Sequence, residues 1–303
     1  MPLPQATAAG LRDAGVAFQE DVPLRKKTWW RTGGAADGFL IANDVESLIA
    51  AHRVTTQTQC PVFILGNASN LLVSDRGIRG LVVRLRGKLA VVEPGDDGKI
   101  RMGGGVKLMP LMNRIQREGW TGLEFLAGIP GTIGGAVRMN AGTALGEMVD
   151  ALVEVEMVSA MGERLRLDRD ALQMSYRTAH LPDGAVVTHA TLQTTGDDPD
   201  ASRTAIRAHL AHRARTQPVN VPTCGSTFRN PPGDYAGRLI EACGLKGHHI
   251  GRAEVSALHA NFIVNKGGAS ASDVRALIEH VQHTVEQTQG VRLVREVHFA
   301  GEW

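Results

Sequence analysis

Gly128-Ile-Pro-Gly131-Thr-Ile-Gly134-Gly135-Ala-Val-Arg-Met-Asn140-Ala-Gly142 is the densest glycine tract of the chain, and eight glycines fall between Gly119 and Gly146. Glycines three apart, flanked by small residues, let successive N–H groups converge without obstruction by a Cβ. Such a nest suits the oxygens of a pyrophosphate. A second tract, Gly66-Asn67-Ala68-Ser69-Asn70, follows the apolar run Val62–Leu65 and offers further N–H and side-chain donors. One such tract alone reads as an ordinary turn. Two, each beside a strand and rich in Ser, Thr and Asn, point to phosphate. Neither is a Rossmann fingerprint, because no G-x-G-x-x-G opens a helix with an acid about 20 residues on.

Working outward, the 303 residues include 35 Gly but only 7 Phe, 4 Trp and 2 Tyr. Hydrophobic residues make up 43% and charged residues 21%, so a core can form and global disorder is excluded. The glycine excess lacks the three-residue period of collagen and must sit in turns or at close backbone approaches. A net charge of +2 is too small to imply a nucleic-acid or membrane surface. Cys60, Cys224 and Cys243 are three, without zinc-like spacing, which suits a reducing compartment. The start of the chain has no signal-peptide pattern, and nothing approaches the roughly 20 apolar residues of a membrane span. The expectation is a cytoplasmic, soluble protein with no metal site.

Helices and strands alternate. Asp44 is expected to cap a helix carrying Val45, Leu48 and Ile49. Strands are expected at Val62–Leu65, Leu81–Leu85, Ile100–Met102, Leu152–Val158 and Ala185–Leu192, with helices near 108–115 and 203–215. Pro218, Pro222, Pro231 and Pro232 flank Cys224–Asn230, which reads as a shaped loop at a domain junction. Asp234 is expected to cap a short helix stopped by Gly244. Ser272 is expected to cap a longer helix whose face is Val274, Leu277, Ile278, Val281 and Val285, ending at Gly290. Val291–Phe299 reads as a strand, with Arg292, Glu296 and His298 opposite its apolar side.

Several motifs together resemble a known family. Arg31-Thr-Gly33-Gly34-Ala-Ala-Asp37, the 66–72 tract, Ile129–Val137 and Met139-Asn140-Ala-Gly142 are similar to the flavin-binding segments of the UDP-N-acetylenolpyruvoylglucosamine reductases. Ser175-Tyr176-Arg177, Gly225-Ser226-Thr-Phe228-Arg229-Asn230-Pro231, Ala236–Glu241, Gly244–Gly247, Ser256–Asn265 and Arg295-Glu296-Val297 continue the resemblance in family order over residues 28 to 303. It implies an α+β fold: a vanillyl-alcohol-oxidase-like (PCMH-type) FAD-binding unit of two α/β lobes plus a C-terminal α/β substrate domain. The lobes are expected at 1–86 and at 87–215 with 289–303, and the substrate domain at 216–288. Ser226 follows Arg177 by only 49 residues, with no Tyr between them, so the chain resembles the shorter, second type, which lacks a tyrosine-bearing loop.

The implied chemistry is reduction of an enol ether conjugated to a carboxylate, with non-covalent FAD as cofactor and NADPH as hydride donor. It needs a donor or cation where enediolate charge builds and a proton source opposite the flavin. Carried over by motif, Ser226 is the candidate proton donor, Arg177 the enolate stabiliser, and Glu296 the group that helps protonation or positions the substrate. Alone, each reads equally as a turn serine, a surface cation or an exposed strand glutamate. Gly66, Asn67, Ala68, Ser69, Asn70, Gly128, Pro130, Gly131, Thr132, Gly134, Gly135, Asn140 and Gly142 are the expected FAD contacts. Tyr176, Arg229, Asn230 and His259 are expected at the substrate, a UDP-sugar enolpyruvyl ether. For Asn230 and His259 a purely structural hydrogen-bonding role stays open.

Arg229 stands where the family commonly has Lys, replacing a point charge by a planar fork. Ala68 stands where Gly is common, and Thr143-Ala-Leu replaces the usual Ala-Tyr-Gly. Cys224 reads as a buried structural thiol, and His280 and His283 as one turn of a solvated helix face. A monomer is expected, with no nucleic-acid or membrane partner. Two other readings are open to the same residues: a different flavin oxidoreductase on the same scaffold acting on an alcohol or sugar, and a catalytically silent nucleotide-binding module.

Overall fold

Asp44, in extended conformation, accepts the Ser47 N–H at 2.9 Å and opens helix Val45–Gln57, whose Leu48, Ile49, Ala51 and Val54 are buried. The computed structural model describes residues 2–303. By contact they fall into two compact units, residues 2–21 with Asp37–Asn67 and Gly80–Leu210, and Val22–Ala36 with Ala68–Arg79 and Ala211–Trp303.

Most of a four-stranded sheet lies in the first unit, in the order Phe18–Pro23, Ala35–Ala42, Ile78–Leu85, Val62–Ile64. Its last pair is parallel, with Ile64 opposite Val83. A five-stranded antiparallel sheet follows, ordered Arg164–Asp168, Leu152–Val158, Val186–Gln193, Lys99–Gly103, Val92–Pro94. One core packs Leu40, Leu48, Leu81, Val83 and Leu85 with Leu11. Another joins Leu111, Ile115, Phe125, Ile133, Val155 and Leu192. Helix Leu108–Glu118 ends at Gly119, whose φ of +69° only glycine adopts freely.

The second unit holds a four-stranded sheet ordered Thr223–Ser226, Phe262–Asn265, Ala253–Val255, His249–Ile250, and a parallel pair of Leu71–Val73 with His298–Ala300. Its core gathers Trp30, Leu72, Phe228, Ile263, Leu277, Ile278 and Val297. Trp30 Nε1 donates to Ile263 O at 2.8 Å, and Asn265 Nδ2 donates to Trp30 O at 2.7 Å.

Four local expectations are corrected. Ser270, not Ser272, caps helix Ala271–Gln289: its hydroxyl accepts Asp273 N–H while the Asp273 carboxylate accepts Ser270 N–H, a reciprocal box set by their spacing. Ser272 lies inside the helix, where its N–H and hydroxyl donate to Asp75. Asp234 does not cap helix Ala236–Ala242. It pairs with Arg238, and Asn230 Oδ1 takes the Ala236 N–H at 3.1 Å.

Residues 291–297 are not a strand, which is confined to His298–Ala300. They meet the 227–229 stretch only at an isolated antiparallel bridge of Arg295 with Phe228, with Arg229 N donating to Val294 O at 2.8 Å and Glu296 N to Thr227 O at 2.9 Å. The proline-flanked 224–230 stretch begins as strand, Thr223–Ser226, rather than as loop throughout.

Candidate active site

In the first unit, Asn67 and Pro130 tie the two glycine tracts together, the Asn67 side-chain amide donating to the Pro130 carbonyl. A Cβ at Gly66 would stand 3.0 Å from Thr132 Oγ1, so only glycine leaves the space between the tracts open. Thr132 caps helix Ile133–Arg138 by accepting Gly135 N–H, and Gly134 N–H donates to Gly104 O at 2.9 Å. Gly134 and Gly135 are therefore occupied in holding the turn. The amides of Gly66, Asn67, Gly131 and Thr132 have no acceptor among the described residues. Unpaired N–H groups at a glycine cradle fit an anionic oxygen cluster such as the FAD pyrophosphate.

Asn140, 1% exposed with φ +38°, spends its side chain inside the protein. Its Nδ2 donates to Glu147 Oε2 at 2.8 Å and Ser175 O at 3.1 Å, while Oδ1 accepts Val149 N–H at 3.0 Å. It thereby fixes the chain on which Arg177 stands. Arg177 has φ +56°, donates from Nη1 to Gly142 O at 3.2 Å, and lies 5.5 Å from the Tyr176 ring centroid. Tyr176 itself is 48% exposed.

The second unit carries the other residues. Ala68 takes φ +52°, which strains an alanine by about 1 kcal/mol where glycine would not be strained. The amides of Ala68, Ser69 and Asn70 also lack acceptors among the described residues. Thr223 pairs with Val264 but Ser226 pairs with Phe262, so three steps on one strand match two on the other. Gly225, φ +76°, absorbs this bulge and sets the direction of Ser226. Ser226 is half-buried, and its hydroxyl bonds to no described residue.

Glu296, half-buried, is fixed through its backbone: N–H to Thr227 O, and O from Asn70 Nδ2 at 3.1 Å. Thr227 is the next residue after Ser226, so one peptide positions both candidates. Arg229 is anchored by its N–H to Val294 O.

Asn230 uses Oδ1 on the Ala236 amide. His259 Nδ1 accepts Asn261 N–H at 3.2 Å, which leaves the proton of the neutral ring on Nε2. Burial holds its imidazole below the ordinary histidine range.

Sequence reasoning missed Asn261. Its Oδ1 accepts Phe228 N–H at 2.9 Å, its Nδ2 donates to Phe228 O at 2.8 Å, and its carbonyl accepts Thr227 N–H. This 3%-exposed side chain continues the strand pairing past the bulge. A buried Asn within His259-Ala260-Asn261-Phe262 was the available signal. Cys224, also buried, is pushed up to about 12 by burial, so its thiol stays protonated. No group of three or more His, Cys, Asp or Glu among the described residues could hold a metal. No helix among them is long and apolar enough to cross a membrane.

Residues 36–168 match the FAD binding domain family, and residues 217–300 match the C-terminal domain of UDP-N-acetylenolpyruvoylglucosamine reductase. The chain is 44% identical over 283 residues to the UDP-N-acetylenolpyruvoylglucosamine reductase of Anaeromyxobacter sp. (strain Fw109-5), covering 93% of this chain and 88% of that one. It is 42% identical to UDP-N-acetylenolpyruvoylglucosamine reductase 2 of Symbiobacterium thermophilum, covering 99% and 97%. The crystal structure of the Thermus caldophilus reductase superposes with TM-score 0.81 at 36% identity, over 94% of this chain and 98% of that one. Physcomitrella patens BBE-like 1, at 16% identity and TM-score 0.50 over 62% of this chain and 44% of that one, shares the fold alone over that part. Identity of this degree, kept across nearly the whole of both chains, means common descent: the chain belongs to the UDP-N-acetylenolpyruvoylglucosamine reductase family.

Proposed function

We propose that the protein is an NADPH-dependent flavoenzyme of the shorter, second type that reduces UDP-N-acetylglucosamine enolpyruvate to UDP-N-acetylmuramate, a step of peptidoglycan precursor synthesis. The observation that carries this reading is the placement of Ser226 and Glu296 on either side of Thr227, within residues that match the reductase's C-terminal domain. When bound, FAD supplies the hydride chemistry, accepting from NADPH and donating to the enolpyruvyl double bond.

In the first unit, Gly66, Asn67, Gly131 and Thr132 hold the cofactor's pyrophosphate through their unpaired amides. In the second, Ala68, Ser69 and Asn70 offer unpaired amides of their own to the cofactor. Gly128, Pro130, Gly134, Gly135, Asn140 and Gly142 shape the loops rather than offer donors. Ser226 holds the proton that the substrate carbon takes up, and Glu296 beside it supports that transfer. Arg177, pinned by the Gly142 carbonyl, meets the carboxylate as enediolate charge develops. Arg229 offers a planar fork to substrate oxygens. His259 offers its Nε2 proton, Asn230 its side-chain NH2, and Tyr176 an exposed ring. Residues 1–86 and 87–215 serve as the cofactor lobes and 216–288 as the substrate segment, with 289–303 completing the second lobe in this assignment. The enzyme works as a cytoplasmic monomer.

Purified protein is expected to be yellow, to bleach with NADPH, and to recover its colour when the enolpyruvyl substrate is added. Bleached flavin indifferent to that substrate would sink the assignment. The rival, an alcohol or sugar oxidoreductase on the same scaffold, requires fast recovery with oxygen and no response to the UDP-sugar. It also leaves the match of residues 217–300 without an explanation.

A further inference from the structure

Arg84 is a cation that the fold of the first unit leaves without a counter-charge. On strand Ile78–Leu85 the side chains of Leu81, Val83 and Leu85 enter one core, so strand alternation turns Arg84 to the opposite face with Val82. Its guanidinium stands 5.8 Å from the Phe39 ring centroid, and its buried Nε has no hydrogen-bond partner. No carboxylate pairs with it among the described residues. Burial, with Arg86 nearby, lowers it to about 10. A half-buried guanidinium held this way destabilises the protein unless an anion arrives.

Its position says which anion. Val83 O accepts Leu65 N–H at 2.8 Å, and Ile64 pairs with Val83, so the next residue pair in the parallel register is Leu65 beside Arg84. The amides that follow Leu65 are those of Gly66 and Asn67, which lack acceptors. Asn67 in turn donates its side-chain amide to the Pro130 carbonyl, so both glycine tracts lie just past the point where Leu65 runs beside the strand of Arg84. Amides alone bring partial charge, whereas a pyrophosphate carries two full negative charges.

We infer that Arg84 supplies the formal positive charge for the pyrophosphate of the bound dinucleotide. This assignment rests on the flavin-binding reading of the same unit. The test uses apo-protein, freed of cofactor, and measures FAD binding by fluorescence quenching for wild type, Arg84→Met and Arg84→Lys, together with the apo melting temperature of each. Arg84→Met should weaken FAD binding at least about tenfold, as expected for losing a charge-assisted contact. Its apo-protein should melt no lower than wild type, since a buried unpaired charge has gone. Arg84→Lys should bind FAD more tightly than Arg84→Met. FAD affinity unchanged in Arg84→Met, a lower apo melting temperature, or Lys binding no better than Met would each overturn the assignment. Failure of wild type to bind FAD would instead overturn the flavin reading itself.

Discussion

Asn70 Nδ2 donates to the Glu296 carbonyl at 3.1 Å, and the Asn70 carbonyl accepts His298 N–H, also at 3.1 Å. One residue of the expected cofactor tract therefore brackets the candidate catalytic glutamate by its backbone. The same glutamate donates its N–H to Thr227, the neighbour of Ser226. Asn70, Glu296 and Thr227, the neighbour of Ser226, thus form one bonded set, so the expected cofactor tract and the candidate proton-transfer residues share backbone anchors.

Asn70→Ala removes the bond to Glu296 but keeps the backbone bond to His298. A net hydrogen bond is worth about 1 kcal/mol, so the substrate half-reaction should slow about fivefold. Flavin reduction by NADPH should stay near wild type. Stopped-flow absorbance separates the two steps; equal slowing of both would show that Asn70 acts on the cofactor instead.

Ser226→Ala should leave NADPH reduction of the flavin nearly normal and slow its reoxidation by substrate about 100-fold or more, the usual contribution of a positioned proton donor. Glu296→Gln should also impair mainly the second half-reaction. If both half-reactions fell equally in Ser226→Ala, the serine would be a folding residue, and unchanged turnover in Glu296→Gln would remove that residue from the site.

The features readable from sequence were those set by near neighbours. Asp44 caps its helix because Ser47 is three residues away, and Gly290 ends the last helix with φ +68° as its spacing requires. Ser270 and Ser272 both precede the same apolar face, and local pattern does not separate them. The choice is made by Asp273, and by Asp75, roughly 200 residues away in sequence. The apolar alternation of residues 291–299 suggests a strand because Leu293 and Val297 are indeed buried, but residues 291–297 form only one isolated bridge, Arg295 with Phe228, and their other backbone groups bond scattered partners such as Gln282 and Asn70. At the site, motifs named Ser226 and Glu296. The use of Asn140 as an internal clamp and of Asn261 as a strand substitute depends on partners that no spacing reveals.

Cys224 sits two residues from Ser226, yet its raised pKa and burial, with Sγ 3.5 Å from Leu71 O, mark it as packing. Cys224→Ala should keep both half-reactions within about twofold and lower stability by about 1 kcal/mol for the lost volume. Iodoacetamide at pH 8 should leave native enzyme active. Rapid inactivation traced to a modified Cys224 would contradict the burial argument.

His259 has a folded-state pKa below its usual 6.5 because burial disfavours the cation, and His52 and His189 are depressed for the same leading cause. The unfolded chain therefore binds protons that the folded chain refuses. Stability from these residues is complete above pH 6.5 and declines as pH falls toward their lowered values. Melting temperature should accordingly drop as pH is taken from 7.5 to about 5.5. His259→Gln, which can still accept the Asn261 N–H, should flatten part of that slope; an unchanged slope would show that His259 titrates alike in both states.

Gly225 offers the most local test of how the fold aims Ser226, the candidate proton donor. At φ +76° nothing lies within 4 Å of where a Cβ would stand, so Gly225→Ala meets no clash. Its cost is conformational, about 1 kcal/mol for an L-residue in the left-handed region. The chain can bear that strain with the bulge intact, or relieve it by letting the bulge flatten. Because Thr223 and Ser226 are out of step with Val264 and Phe262 by one residue, flattening would slip the register and move Ser226 off its present direction. Gly225→Ala should therefore retain flavin colour and NADPH bleaching but lose substrate-driven reoxidation by more than its small drop in melting temperature would suggest. Full reoxidation rates in a protein slightly less stable than wild type would mean that the bulge survives the strain, and that Asn261, not Gly225, fixes the direction of Ser226.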